Sequence, residues 1–461
     1  MRTTDDRNHH RSPRLAALAL ATVCFALPVA RAADSDRDVA GIVDRELPGL
    51  VQFYEGLHAA PELSRMEAKT SASLARQLRD AGYEVTERVG KYAATPAATG
   101  YGVVAVLKNG AGPTLMVRAD MDALPVEERT GLRYSSSVRA KLATGTEVPV
   151  MHACGHDIHV SALVGFAKVM TTLKDRWHGT LMLVGQPAEE TIDGANAMLK
   201  DDLYTRFPRP SMVLAMHDYP TLPAGSVGLT PGYAMATSTQ VDVLVRGVGG
   251  HGARPDEARD PVVLAANIIM QLQTIVSREV SPFDQAVVTV GTIHGGTKRN
   301  IIPDEVKLEI NLRAFKETVR QHLIEGVARI VRAAALGAGM PEDRLPIVTV
   351  IESEFAPALF NDPALVTRLT PVLRRTLGDD NVRDFPPLMA SEDFGRFGLD
   401  QRIPVLMFWV GASAPEMLAK AAKTDEPVPA LHSSRFAPVP APTLRTGILA
   451  MSASALELLG R

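Results

Sequence analysis

The stretch Thr114-Leu115-Met116-Val117-Arg118-Ala119-Asp120-Met121-Asp122-Ala123-Leu124-Pro125 decides the fold. Residues 114–119 are a short, mostly apolar run of the kind that makes a strand buried on both faces, and acidic residues gather at its end. Runs of the same kind at 102–107, 180–185 and 212–216 also read as buried strands. Helical periodicity runs through 42–57, 67–81 and 158–173, and Gly82 stands where the second of these should stop. Strands alternating with helices predict an α/β fold whose mostly parallel sheet is covered by helices on both faces.

The pattern changes near Met235. Residues 239–247 alternate like a half-exposed strand, 261–278 form a long amphipathic helix, and strands follow at 286–293 and 305–312. A helix at 318–336 and a strand near 347–351 complete the order strand-helix-strand-strand-helix-strand, a ferredoxin-like α+β unit long enough to be an inserted domain. The strand 405–410 and a C-terminal helix from Pro442 are expected to rejoin the first sheet.

At 461 residues, with 46% hydrophobic and 22% charged, the chain has the balance of a folded protein of two domains. Its net charge of −3, without a long basic run, excludes nucleic acid as a partner on electrostatic grounds. Residues 1–32 read as a removable export signal: Arg2, Arg7, Arg11 and Arg14 precede an apolar run over 15–30, and Ala30-Arg31-Ala32 offers small residues for cleavage. That run is short against the roughly 20 residues of a membrane span. The expected location is therefore periplasmic or secreted, with no membrane association once the signal is removed. The mature chain keeps one cysteine, Cys154, so no internal disulfide is possible. A lone thiol outside the cytosol is either a buried apolar residue or a metal ligand.

Four clusters carry the chemistry, each read as lying just past a strand: Arg118-Ala-Asp-Met-Asp-Ala-Leu-Pro125, Met151-His-Ala-Cys-Gly-His-Asp-Ile-His159, Gly185-Gln-Pro-Ala-Glu-Glu190 and Met216-His-Asp218. Singly each is ordinary, because a lone His at a strand end is usually structural and adjacent glutamates usually face solvent. Together they place thiol, imidazole and carboxylate groups at one edge of a sheet, where open α/β folds bind ligands. Such donors suit Zn, Mn, Co or Ni. Paired carboxylates also divide labour, one binding metal while its neighbour moves a proton.

These clusters, with Gly249-Gly-His-Gly-Ala-Arg-Pro255, Asn300-Ile-Ile-Pro303, Ser391-Glu-Asp-Phe394 and Leu431-His-Ser-Ser-Arg-Phe436, resemble in content and order the M20 peptidase family. The likeness is to its amidohydrolase branch of hippurate hydrolases, N-acyl-amino-acid deacylases and auxin-conjugate hydrolases, from about Leu50 to the C-terminus. The resemblance implies a catalytic domain from 33–233 and 354–461, with a lid and dimerisation domain inserted at 234–353. It implies two divalent metal ions on Cys154, His156, Glu190, His217 and His432, with Cys154 bridging and Glu189 the general base. It further implies that His251 stabilises the oxyanion and Asn300 holds substrate, while Asp120, Asp122 and Glu392 orient ligands. Ala390, Val160 and Asp193 depart from the family pattern without touching a proposed ligand.

The activity so implied is hydrolysis of an N-acyl or N-aroyl amino acid to a carboxylic acid and a free amino acid by a metal-activated water. A dipeptidase or carboxypeptidase, differing by one substrate amino group, stays open, as does a non-catalytic metal-binding protein that captures conjugates. A small-molecule substrate and a homodimer formed through the inserted domain are the expected partners.

Overall fold

Eight strands make the main sheet, in the order Glu84–Val89, Gly102–Asn109, Gly179–Gln186, Thr114–Asp120, Met212–Pro223, Val405–Ser413, Val227–Leu229 and Val382–Asp384. The structure, a computed structural model, describes residues 23–92 and 100–460. Most of the export-signal reading, residues 1–22, therefore lies outside the described residues, as does the Ala/Thr/Pro tract at 93–99. From Val23 the chain is a helix that runs to His58.

The four central strands, from Gly179–Gln186 to Val405–Ser413, are mutually parallel. Cover on both faces explains why their sequences are nearly unbroken apolar runs, and every residue of Val405–Ser413 is buried. The flanks are mixed. Gly102–Asn109 and Glu84–Val89 pair antiparallel, and so does Val227–Leu229 against Val405–Ser413. The short link after Pro223 leaves no room for the crossover that a parallel neighbour would require.

Helices from both ends of the chain cover one face of the sheet: Val23–His58, His156–Thr172 and Pro440–Leu459. Gly165 marks how closely they approach, since a Cβ there would lie 2.4 Å from Ile448 Cδ1 and 2.8 Å from Leu50 Cδ1. The opposite face packs Phe394, Phe397, Met407 and Trp409 into a separate core.

The inserted unit has its own sheet, in the order Ala286–Gly295, Glu305–Ala314, Thr239–Arg246, Ile347–Val350, all pairs antiparallel. With helices Pro261–Thr274 and Glu317–Gly337 this is the ferredoxin-like arrangement expected from the sequence. Thr239–Arg246 alternates buried and half-buried residues, the mark of a strand packed on one face only. Asp260 caps the first helix by accepting from the Val262 and Val263 N–H groups at 2.8 and 3.4 Å. That helix is α-helical only to Thr274 and ends in a π turn, Ile275–Glu279, so it is shorter than the periodicity over 261–278 indicates.

Two linkers join the inserted unit to the main sheet. They pair with each other, Ser238 and Ala356 exchanging N–H···O bonds of 3.0 Å. Among the described residues no helix is long and apolar enough to cross a membrane.

Candidate active site

Two of the four clusters follow main-sheet strands as expected, those ending at Asp120 and Gln186. The other two do not. His217 lies within Met212–Pro223, opposite Trp409, because pairing with Val405–Ser413 keeps that strand extended past the apolar run. The 151–159 cluster follows a small hairpin, Arg139–Lys141 with Glu147–Pro149, and the Leu124–Met151 bridge ties it to the Asp120 strand end. It then enters helix His156–Thr172 through Gly155 at φ +78°, where a Cβ would sit 2.3 Å from Asp218 Oδ1. Only glycine fits there, on both conformational and steric grounds.

All five expected metal ligands converge. Cys154 Sγ is 3.6 Å from His217 Nε2. Cys154, Glu190 and His432 offer donor atoms within 4.8 Å of one another. His156 Nε2 lies 3.9 Å from Glu190 Oε1, and His432 Nε2 lies 3.4 Å from the same oxygen. The ring tautomers are set from behind, since His156 Nδ1 donates to Asp122 O at 2.8 Å and His217 Nδ1 donates to Asp218 O at 2.7 Å. In the neutral rings each Nε2 would then present its lone pair to the cluster, as a ligating imidazole must. His156 Nε2 and Glu190 Oε1 are buried without a hydrogen-bond partner, and a cation between them would satisfy both. His159 belongs behind this set. Its Nδ1 donates to Asp120 Oδ1 at 2.5 Å and its Nε2 lies 3.1 Å from Asp218 Oδ1 and 3.0 Å from Asp218 N, so neither nitrogen is free to ligate.

One carboxylate, Asp122, anchors the backbone of both glutamates. It accepts from the Glu189 N–H at 3.1 Å, the Glu190 N–H at 3.0 Å and Ser64 Oγ at 2.6 Å. Glu67 steadies the preceding turn by accepting from the Ala188 N–H at 2.8 Å, where Ala188 is left-handed at φ +53°. Both glutamates group with His156, Glu190 also with Cys154 and His432, and Glu189 also with Glu392 and Asp393, the donor atoms of each group within 4.8 Å. Arg118, fully buried, binds Asp120 Oδ2 at 2.7 Å, Glu392 Oε1 at 2.8 Å and Gln186 Oε1 at 2.8 Å.

Electrostatics follow from this crowding. Burial, then Glu392 and Glu190, push the Glu189 carboxyl well above the ordinary range. Burial, then Glu190 and Glu189, do the same to the Cys154 thiol. Burial acts to raise Asp120 too, but Arg118, His156 and His159 outweigh it and hold that carboxyl well down. Carboxylates and a thiol whose ionisation is opposed by burial and by one another suit bound cations, which would draw Glu189 and Cys154 back toward ionisation.

His251 and Asn300 stand together but apart from this cluster. His251 pairs with Ile301 and the Gly252 N–H donates to Asn300 O at 2.9 Å, both residues exposed on the inserted domain. Among the described residues no hydrogen bond joins either to the ligands.

Sequence reasoning passed over two features. His58 is fully buried between Asp157 Oδ2 at 2.7 Å and Glu128 Oε1 at 3.1 Å, behind the turn that carries Cys154 and His156. Nothing local marked it, since its partners lie 99 and 70 residues away. Arg313 is a half-buried guanidinium at the domain junction, donating to Asn311 Oδ1 at 2.8 Å and Met389 O at 2.9 Å, with Ser391 Oγ at 3.4 Å. Among the described residues no carboxylate pairs with it, and burial lowers its pKa.

Fold and site together define a metal-binding hydrolase with an inserted ferredoxin-like domain. The sequence matches the model of peptidase family M20/M25/M40 over residues 116–432, and the chain belongs to that family. It is 36% identical to the hippurate hydrolase of Campylobacter jejuni, over 74% of this chain and 82% of that protein. It is 33% identical to thermostable carboxypeptidase 1 of Saccharolobus solfataricus, over 78% of this chain and 85% of that protein. In structure it is similar to the Bacillus subtilis YXEP protein, described as a dinuclear metal binding peptidase of the M20 family, with a TM-score of 0.70 and 25% identity over 90% of this chain and 99% of that one. The chain is thus a metal-dependent hydrolase of the family's amidohydrolase branch.

His58 yields a pH prediction. Burial would lower its pKa, but Asp157 and then Glu128 hold it up to about 10. A histidine raised in the folded state contributes stability that is complete below its unfolded value near 6.5 and is lost as pH climbs toward 10. Metal-free protein should therefore unfold at lower urea concentration at pH 9 than at pH 7. The His58→Gln variant, less stable at pH 7, should show a smaller difference; an equal difference would contradict the charged His58.

Proposed function

We propose that the enzyme hydrolyses the amide bond of N-acyl or N-aroyl amino acids, releasing a carboxylic acid and a free amino acid. The observation that carries this reading is a glutamate pair at the ligand cluster, both carboxylates grouped with His156, Glu190 also with Cys154 and His432 and Glu189 also with the buried acids Glu392 and Asp393. Cys154, His156, Glu190, His217 and His432 would hold two divalent ions, with the thiol and imidazoles suiting Zn, Mn, Co or Ni. When bound, the ions would acidify a water and polarise the scissile carbonyl. Glu189 accepts the proton of the attacking water and delivers it to the departing nitrogen, so the C–N bond breaks as acid and amine form. Arg313, a guanidinium without a carboxylate partner, offers a fork for the free α-carboxylate of the substrate.

His251 and Asn300 act in this proposal from the inserted domain, and a second chain is the means of bringing them to a site. Helix Pro261–Thr274 leaves Val263 66% and Met270 71% exposed, and Ile293 is exposed on the edge strand Ala286–Gly295. An apolar helix face beside an open strand suits pairing of two inserted domains.

Replacing Glu189→Gln should lower kcat by about 10²–10⁴-fold while both metal equivalents remain bound; wild-type turnover would remove Glu189 from its role. The substrate is read by amino-acid release from N-acetyl, N-benzoyl and N-indoleacetyl amino acids and from dipeptides, with and without chelator. Dipeptide preference would make the protein a peptidase, and no release after metal loading a binding protein. Arg313→Ala should reduce kcat/KM by about 10–100-fold on substrates with a free carboxylate, matching ~1.5–3 kcal/mol for a charged hydrogen bond. Their carboxamide analogues should respond little, and an equal loss on both would assign Arg313 a structural role. Gel filtration should give a dimer, and a fully active monomer would exclude action of His251 across chains.

A further inference from the structure

We infer that a cavity walled by the His432 turn receives the acyl group of the substrate and favours long apolar or aromatic acyl groups over acetyl, an inference that rests on the amidohydrolase reading above. His432 sits at φ +66° in a tight turn, with its N–H donating to Ala153 O at 2.7 Å and the Ser433 N–H donating to Ala430 O at 3.1 Å. Its imidazole approaches Glu190, while Ala430 and Ser433 of the same turn line a cavity of about 540 Å³. That volume is within the roughly 300–1,000 Å³ typical of small-molecule sites.

The remaining walls are mostly apolar, with Met417 and Ala421 from helix Pro415–Ala421 facing Pro427, Val428 and Pro429. The prolines stiffen one wall, which reduces the ordering cost of binding. Lys420, Glu426 and Arg435 add charged groups to the lining, and Lys420 Nζ binds Glu426 Oε2 at 2.8 Å, tying helix to loop.

The arrangement also orients the substrate. Arg313 lies 3.4 Å from Ser391 Oγ, and the next residue, Glu392, groups with Glu189, so in this proposal the substrate carboxylate and the departing nitrogen are placed toward Arg313. His432, whose turn lines the cavity, lies 3.4 Å from Glu190 Oε1, and in this proposal the acyl carbon chain leaves the carbonyl toward that turn. An acetyl group would leave a cavity of this size largely empty, whereas each buried methylene contributes about 0.8 kcal/mol.

The test uses the full chain loaded with two metal equivalents and N-acetyl, N-butanoyl, N-octanoyl and N-benzoyl derivatives of one amino acid. Wild-type kcat/KM should rise by about tenfold or more from acetyl to octanoyl, and Val428→Trp, which fills the cavity, should collapse that ratio to about threefold or less. Ala421→Phe, from the opposite wall, should act alike, and retained metal content identifies folded variants. A flat wild-type series, or a steep one that both variants preserve, overturns the inference. A second series of N-acetyl amino acids with growing side chains should keep its wild-type ratios in Val428→Trp, and a change there instead would assign the cavity to the amino-acid side chain. Calorimetry of octanoate against acetate on Glu189→Gln protein reads the cavity without turnover. Failure of every acyl conjugate to react would refute the proposed function, whereas equal binding of the two acids would refute this inference alone.

Discussion

Asp120, Glu392 and Asp393 converge on the guanidinium of Arg118, with Glu189 grouped against the last two and Glu190 and Asp122 next to it, and the architecture of the site depends on keeping those negative charges together. A buried carboxylate is costly unless paired, hydrogen-bonded or ligating. Arg118 binds Asp120 and Glu392, and Asp122 is absorbed by two backbone N–H groups and a hydroxyl. Glu189 and Glu190 are left facing a space bounded by Cys154 and three histidines. The residual anionic charge suits the space to a cation, which would in turn favour the ionised form of Glu189 that the proposed reaction needs.

The parallel sheet makes this convergence possible. Its strand ends deliver Asp120 and Gln186 to one edge, and the neighbouring strand Met212–Pro223 carries His217 in its own backbone. Loops bring the rest: the Cys154 turn is fixed by Gly155 against Asp218, and the His432 turn by its bond to Ala153. Ligands from strands and from short, over-determined turns are held rigidly, which a metal site needs for its geometry. The buried ion pairs of His58 brace the Cys154 turn from behind, a support with no chemical role of its own.

The inserted domain is a second folding unit with a separate core, joined by two paired linkers. Arg320 from that domain and Arg396 from the main domain both lie over the Phe355 ring, at 4.3 and 5.6 Å, so the junction is a packed contact as well as a tether. Its position relative to the catalytic edge governs whether Arg313 faces a substrate and where His251 and Asn300 can act.

Much was legible in the sequence because its signals are local. Uninterrupted apolar runs announced the central strands, alternation at 239–247 announced a one-sided strand, and the crowding of Cys154, His156 and His159 announced ligand chemistry. Motif order identified the family and, with it, the residues that cluster in space. What the sequence left unresolved was non-local. Whether neighbouring strands run parallel is set by connection length and by partners far along the chain. His58 is bound to residues 70 and 99 positions away, and Arg313 is distinguished by the carboxylate it lacks. Glu189 and Glu190 are chemically identical in sequence, and Asp122, 67 and 68 residues earlier, fixes the backbone from which both carboxylates reach the site. The sequence by itself determined which donor groups are available and in what order, because side-chain chemistry and periodicity are properties of the chain. Only the tertiary structure decided which groups are paired, which are left charged and which face one another, because desolvation and Coulomb interaction depend on distance through space.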